Sequence, residues 1–296
     1  MRISSIDVGS NAIRLVVVEI HKNGQWEQIK KFRAPLRLGT DVFEFKKLQP
    51  NTILELIEVF KKIAKLHKKY KVQKTIALAT SAMRDAQNNK LAINQIKKYS
   101  KIKLKIISGQ EEARLIRNAI IKSNSNHHAK SLLVDIGGGS AELTGLTKQN
   151  ILFSKSYPLG VVRLLSLKTT QNISIDEYCK KYLSKIKAEH HKIQFDVAIG
   201  TGGNFDALAR LKLSLLHKAP QTHMTQNEVI QIQKIWSKLN YEQKLNLGLR
   251  PDRIDVLDLA LNLILIILNL FNIDHLKIPM TGLKEGSIHE LLDQKL

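Results

Sequence analysis

Ile6-Asp7-Val8-Gly9-Ser10-Asn11 and Val134-Asp135-Ile136-Gly137-Gly138-Gly139-Ser140 write one short message twice. Each follows an apolar run (Ile3 and Ile6; Leu132 to Val134) and leads into another (Ile13 to Ile20; Ala141 to Leu146). That pattern predicts strand, tight turn, strand. Glycine lets the turn take positive φ and lets backbone N–H groups face outward, where they cradle phosphate. Asp7 and Asp135 sit at the strand ends, where a carboxylate repels bare phosphate. They make sense with a hard divalent cation between them and the phosphate oxygens. One Asp-x-Gly after a strand equally describes an ordinary hairpin turn. Two copies, 128 positions apart, point to two related halves facing a shared phosphate site.

At 296 residues the chain exceeds one typical domain, and two are expected. Its 43% hydrophobic content supports real cores, and with only 5% aromatics the apolar mass is Ile, Leu, Val and Ala, as buried α/β elements require. The single Cys179 excludes an intrachain disulfide and no apolar leader opens the sequence, which predicts a cytoplasmic protein. The most apolar stretch, Ile254 to Ile273, is interrupted by Asp255, Asp258, Asn262 and Asn269 and reads as a buried core helix. Lys and Arg number 47 against 26 acids, a net charge of +21. This fits attraction to a polyanion or merely solvated lysine-rich helix faces, such as Lys61 to Lys71. No aromatic platform, zinc-finger spacing or helix-turn-helix accompanies the charge, which argues against nucleic acid. His127-His128 and His190-His191 lack metal-ligand spacing.

Strands are expected near Ile3–Val8, Ile13–Ile20, Trp26–Phe32, Thr75–Ala79 and Lys103–Ile107. Leu54, Ile57, Phe60, Ala64 and Leu66 recur at helical spacing and predict an amphipathic helix over Thr52–Tyr70. Further helices are expected at Asn88–Ser100 and Gly109–Ser123, and the polar residues Ser123 to Lys130 read as the interdomain joint. The second half restarts with strands Ser131–Asp135, Ala141–Leu146 and Ile151–Tyr157, a helix Ser174–His191, and a strand Phe195–Ile199 entering the Gly200–Asn204 loop. Helices Phe205–Leu213, Thr225–Leu239, Tyr241–Gly248 and Asp252–Phe271 precede a short strand and a helix within Leu276–Leu296.

Glu111 and Glu112 open a helix, where the positive dipole end favours acids, and adjacent helical positions diverge by about 100°. At most one of them therefore reaches a site, and on dipole grounds both read as helix-start carboxylates. Arg84 follows a strand and loop, a position suited to a phosphate clamp as well as to an ordinary surface arginine. Arg14, just past the first glycine turn, could fold back on a phosphate; Arg163, Arg250 and Arg253 are weaker candidates. Gly200-Thr201-Gly202-Gly203-Asn204 resembles glycine loops that pass close to nucleotides, though a packing turn explains it equally. No Ser-His-Asp order, HExxH or Walker lysine is present, so serine hydrolysis and zinc chemistry drop out.

IDVGSNAIRL, ATSAMRDAQN, ISGQEEARLI, LLVDIGGGSAEL, SYPLGVVRL, AIGTGGNFDALARL and RPDRIDVLDLAL followed by TGLKEGSI fall in one order along the chain. Together they resemble the exopolyphosphatase / guanosine pentaphosphate phosphohydrolase (Ppx/GppA) family, over essentially Met1 to Leu296. The resemblance implies an α/β fold of two actin-like (ribonuclease H-like) domains of the acetate and sugar kinase, heat-shock protein and actin superfold, around a central cleft. It divides the chain into residues 1–123, joined by a C-terminal helix at about 280–296, and residues 124–279. It implies Glu112 as catalytic base, Asp135 and Glu142 as metal-associated acids, and Gly9, Ser10, Asn11, Arg14, Arg84, Gly137, Gly138, Gly139 and Ser140 as phosphate-contacting positions. The implied cofactor is Mg²⁺, with Mn²⁺ as the alternative.

The implied activity is release of terminal phosphate from polyphosphate or guanosine pentaphosphate. Such phosphoryl transfer needs charge neutralisation and in-line positioning more than covalent chemistry. Longer relatives carry additional C-terminal domains that hold long polymer, so short chains are the expectation here. Lys284 stands where the family has Arg, losing a bidentate fork. A non-catalytic polyphosphate or (p)ppGpp-binding regulator is the competing reading, with Glu112 as discriminator, since a sensor needs no base. A sugar-kinase-like phosphotransferase is a third. The expected partners are polyphosphate or guanosine pentaphosphate, with no membrane and no nucleic acid; a homodimer stays open.

Overall fold

A computed structural model describes the chain except residues 124–129, 148–149, 172–173, 191 and 294–296. Most of the expected joint at 123–130, with His127 and His128, and also His191, lie outside the described residues. Contacts divide the chain into two compact units, Met1–Leu115 with Leu283–Leu296, and Ile116–Gly282.

The first unit begins with β1 (Arg2–Val8), β2 (Ile13–Ile20) and β3 (Trp26–Ala34), a meander built on the glycine turn at Gly9. Helices α1 (Leu38–Phe45) and α2 (Pro50–Lys69) lead to β4 (Lys74–Ala79); α3 (Ser81–Asp85) and α4 (Asn89–Ser100) lead to β5 (Lys105–Ile106). Helix α5 (Gly109–Lys122) follows. The sheet order is β3-β2-β1-β4-β5, antiparallel through the meander and parallel from β1 to β5. Pro50 at the first turn of α2 fits the fixed φ of a helix start. Its buried stripe is Ile53, Leu56, Ile57, Phe60 and Ile63. Of the expected stripe, Ile57 and Phe60 are buried, while Ala64 and Leu66 are only half-buried and Leu54 is not on the face. Leu54 is 61% exposed because the i, i+3, i+4 seam starts at Ile53.

The second unit repeats the pattern. Strands β6 (Lys130–Ile136), β7 (Ala141–Thr147) and β8 (Ile151–Tyr157) form a meander around Gly137–Ser140. Helices α6 (Val161–Gln171) and α7 (Ile175–Glu189) precede β9 (Val197–Thr201). Then come α8 (Gly203–Leu216), β10 (His223–Thr225), α9 (Gln226–Trp236), α10 (Tyr241–Asn246), α11 (Pro251–Phe271) and β11 (His275–Lys277). The order β8-β7-β6-β9-β11 matches the first sheet strand for strand, with β10 added at the edge. Each unit is therefore a ribonuclease H-like α/β layer.

Helix α11 is long and apolar enough to cross a membrane by length and composition, yet 67% of its most apolar window is buried within the protein. It packs on α6, α7, α8 and α9, burying Leu257, Leu261, Ile264 and Leu268 while Asp255 and Asp258 face outward. It is the core helix of the second unit.

The last helix, α12 (Leu283–Asp293), belongs to the first unit. Ile288 packs with Ile3, Val16 and Val18, and the Ser287 and Ser5 hydroxyls meet at 2.6 Å. A Cβ on Gly286 would stand 2.1 Å from the Leu115 carbonyl oxygen, so only glycine permits that approach. Arg114 closes the packing with a two-pronged bond to Glu290.

Candidate active site: two hairpins with opposite electrostatics

In the second unit, residues from four neighbouring strands line up in one cross-strand row. Thr201 on β9 pairs in register with Asp135 on β6, Asp135 with Glu142 on β7, and Glu142 with Ser156 on β8. The outer hydroxyls hold the inner acids: Thr201 Oγ1 donates to Asp135 Oδ1 at 2.7 Å, and Ser156 Oγ donates to Glu142 Oε1 at 2.7 Å. Both acids are buried, Asp135 at 9% and Glu142 at 2% exposure. Two carboxylates directly opposite each other on a sheet repel. The row contains no basic side chain, only hard oxygen donors, which is the donor chemistry of Mg²⁺ or Mn²⁺.

The equivalent row in the first unit is neutralised. Asp7 pairs in register with Arg14, and Arg14 with Arg33. Arg14 Nη1 donates to Asp7 Oδ2 at 2.7 Å. The first hairpin thus meets its carboxylate with a guanidinium, whereas the second sets a second carboxylate there.

The glycine loop of the second unit is held from one side. Val161 N–H donates to the Gly137 carbonyl, Val162 and Arg163 N–H to that of Gly138, and Arg163 Nε to that of Gly139 at 2.8 Å. In a trans peptide the N–H points opposite to its carbonyl. With three carbonyls turned to the start of α6, the N–H groups of Gly138, Gly139 and Ser140 face the other way, an arrangement suited to anions. A Cβ on Gly160 would come within 2.3 Å of Gly139 and Ser140 backbone atoms, so α6 can approach this loop only through glycine. The Gly200–Asn204 loop has both a packing and a site role. Gly200 leaves room for the Phe205 ring, and at Gly202, φ +86°, an added Cβ would stand 2.6 Å from Asp135 Oδ1. Asn204 Nδ2 donates to the Ile136 carbonyl at 2.7 Å, and the buried Arg253 donates to Asn204 Oδ1.

In the first unit, the amide of Ala82 donates to Ser10 Oγ at 3.1 Å, and Arg37 Nε donates to Asn11 Oδ1 at 2.8 Å. The two adjacent acids of α5 diverge. Glu111 is engaged by Lys105 at 2.6 Å, while Glu112 turns inward, 6% exposed, with Arg84 Nη1 at 3.8 Å from Oε2. Arg84 is itself anchored by donating to the Ile107 carbonyl at 2.6 Å. Lys284, on α12, lies 3.4 Å from Glu285. Thr201 and Ser156, the hydroxyls that hold the acids, carry no signal in sequence. The spacings of 66 and 14 residues acquire meaning only once the strands pair.

Two ribonuclease H-like units with paired glycine hairpins define an actin-like α/β protein. The chain belongs to the Ppx/GppA phosphatase family, whose profile matches residues 16–295. It is 28% identical over 99% of its length to the bifunctional 3-dehydroquinate synthase/phosphatase of Fusobacterium nucleatum, covering 47% of that protein. It is 31% identical over 55% of its length to exopolyphosphatase 1 of Mycobacterium tuberculosis, covering 48% of it. The chain thus spans about half the length of these curated relatives. The crystal structure of the Aquifex aeolicus Ppx/GppA family member superposes with a TM-score of 0.79 at 26% identity, covering 100% of this chain and 99% of that one.

Proposed function

We propose that this protein hydrolyses terminal phosphoanhydride bonds of inorganic polyphosphate, guanosine pentaphosphate or both, with a divalent cation. The observation that carries the reading is the buried Asp135–Glu142 pair beside an amide-lined glycine loop. The name of the mycobacterial relative supports polyphosphate as a substrate. A bound Mg²⁺ would offset the two carboxylates and the charge of a phosphate group.

The chain's own residues carry the remaining roles. Asp135 and Glu142 would hold the cation, oriented by Thr201 and Ser156. The N–H groups of Gly138, Gly139 and Ser140 donate to phosphate oxygens, and Arg84 presents a guanidinium to the substrate charge. Glu112 takes the proton of the attacking water; its burial beside Arg84 keeps it apart from the solvent-facing Glu111. Gly9, Ser10, Asn11 and Arg14 complete the phosphate-contacting set of the first hairpin.

The test is phosphate release from polyphosphates of defined length and from guanosine pentaphosphate, with Mg²⁺, Mn²⁺ and chelator in parallel. Metal-dependent release from at least one substrate is expected. Tight binding of both without release would overturn the reading in favour of a sensor.

A further inference from the structure

The net charge is not spread evenly. Residues 61–105 contain thirteen lysines and one arginine against a single acid, so these forty-five residues hold thirteen of the chain's twenty-one net charges. Topology gathers much of this at one place. Helix α2 runs back to the start of β4, and α4 runs from the far end of β4 back toward β5, which lies parallel to it. The last turns of both helices and the first residue of β4 therefore share one end of the sheet. Eight lysines fall in the windows 68–74 and 97–103, among them Lys68, Lys74, Lys97, Lys98, Lys101 and Lys103, with no acid in either window. All eight are exposed, and none has a carboxylate partner among the described residues. Lysines in a helix's last turn complement its dipole, which accounts for Lys68, Lys69, Lys97 and Lys98 but not for the four beyond the helix ends.

This end of the sheet is opposite to the one bearing Ser10, Arg84 and Glu112. Those residues follow the carboxyl ends of β1, β4 and β5, about 17 Å away along the six residues of β4. The basic face is thus separate from the candidate active site of the same unit.

We infer that the lysine face formed by the ends of α2 and α4 is a second binding site for a linear inorganic polyphosphate chain. The inference rests on the polyphosphate reading above. Eight exposed ammoniums and no arginine suit a repeat of bare phosphates, which asks for point charge, not the forked geometry that reads bases. Tyr99, the exposed aromatic at the face, has Lys61 at 5.1 Å and Lys98 at 5.4 Å from its ring centroid. Its ring therefore serves the lysines and is not a stacking platform for nucleobases.

The experiment measures equilibrium binding of long-chain polyphosphate and of tripolyphosphate to the full chain, in chelator, across a salt series. The variant carries Lys68→Gln, Lys97→Gln, Lys98→Gln and Lys103→Gln; a second carries Arg at the same positions. A third carries Lys180→Gln, Lys181→Gln, Lys185→Gln and Lys187→Gln on the exposed side of α7, with thermal melts confirming folding throughout. The first variant should weaken long-chain binding about tenfold or more at low salt and reduce the salt slope by roughly 0.7 per lysine removed. The Arg variant should restore it, and the α7 variant should change it little. Equal losses from both Gln sets would reduce the effect to diffuse attraction and overturn the inference, as would single-stranded RNA binding as tightly as polyphosphate. Lysine-dependent polyphosphate binding by a chain that releases no phosphate would uphold this site while refuting the hydrolase reading.

Discussion

Asp135 and Glu142 face each other across the β6–β7 ladder at the register that Asp7 and Arg14 occupy across β1–β2. One substitution of sign separates the two hairpins. The first is closed by its own ion pair at 2.7 Å, while the second gathers negative charge in a buried row. Related turns thus take unequal electrostatic parts, and only in the second do two acids stand opposite each other.

Removing one charge from that row should show the repulsion directly. Glu142→Gln keeps an acceptor for Ser156, so the metal-free variant should be more stable than the parent by about 0.2–1 kcal/mol. Added Mg²⁺ should raise the melting temperature of the parent and leave the variant nearly unmoved. Thermal melts in chelator and in Mg²⁺ decide it; a destabilised metal-free variant would mean that the two acids do not repel.

Glu112→Gln should lower the rate of phosphate release by about 10²- to 10⁴-fold with substrate affinity retained, because the amide keeps the shape but accepts no proton. Glu111→Gln should leave turnover close to the parent, since Glu111 is spent on Lys105. The reverse pattern in a side-by-side assay would move the base by one residue.

Gly160→Ala places a methyl group 2.3 Å from the backbone of Gly139 and Ser140. Backbone cannot swing aside as a side-chain end does, so the glycine loop must move. Such overpacking should cost about 1–3 kcal/mol of stability. A shift of the N–H groups by an ångström should cost about 10²-fold in turnover. Urea unfolding and phosphate release on the same sample test both, and an unchanged rate would remove the loop from the catalytic account.

The Arg114–Glu290 pair has a defined pH signature. The paired N–H groups of Arg114 hold the Glu290 carboxyl below the ordinary carboxylate range. A depressed folded-state pKa means that the stabilisation is present above the unfolded value of about 4.3 and lost as pH falls through the folded one. The pair is partly exposed, so about 0.5–1 kcal/mol is at stake. Glu290→Gln should therefore melt below the parent at pH 7, with the gap closing under pH 4. A gap that persists at pH 3 would assign the effect to packing.

Much of this was legible in the residues. Ile13–Ile20 and Ile151–Tyr157 are strands with the bounds their apolar runs indicate, and Gly109 opens a helix that starts with two acids. Helix α6 was not legible. Pro158, Leu159 and Gly160 supply no side-chain cap, and the run from Val161 to Leu167 is rich enough in apolar residues to pass for strand or loop. Helices α1 and α3 are hidden for a related reason, being short and interrupted by Gly39 in one case and only five residues long in the other. At the site, motif order singles out the acids and glycines. The hydroxyl holders depend on cross-strand register, which no local pattern encodes. Arg14 shows the same limit. Its place after the glycine turn suggests a phosphate clamp, and register alone reveals Asp7 opposite it.

The Ser5–Ser287 bond joins positions 282 residues apart, and Ile288 completes a cluster begun by Ile3. During synthesis, then, the opening meander leaves the ribosome with part of its apolar surface uncovered and stays so until Ile288 has been made. Residues 116–282 meet no such delay, because that unit is one uninterrupted stretch of the nascent chain. The second unit is free to reach its native form first, and the first waits for α12.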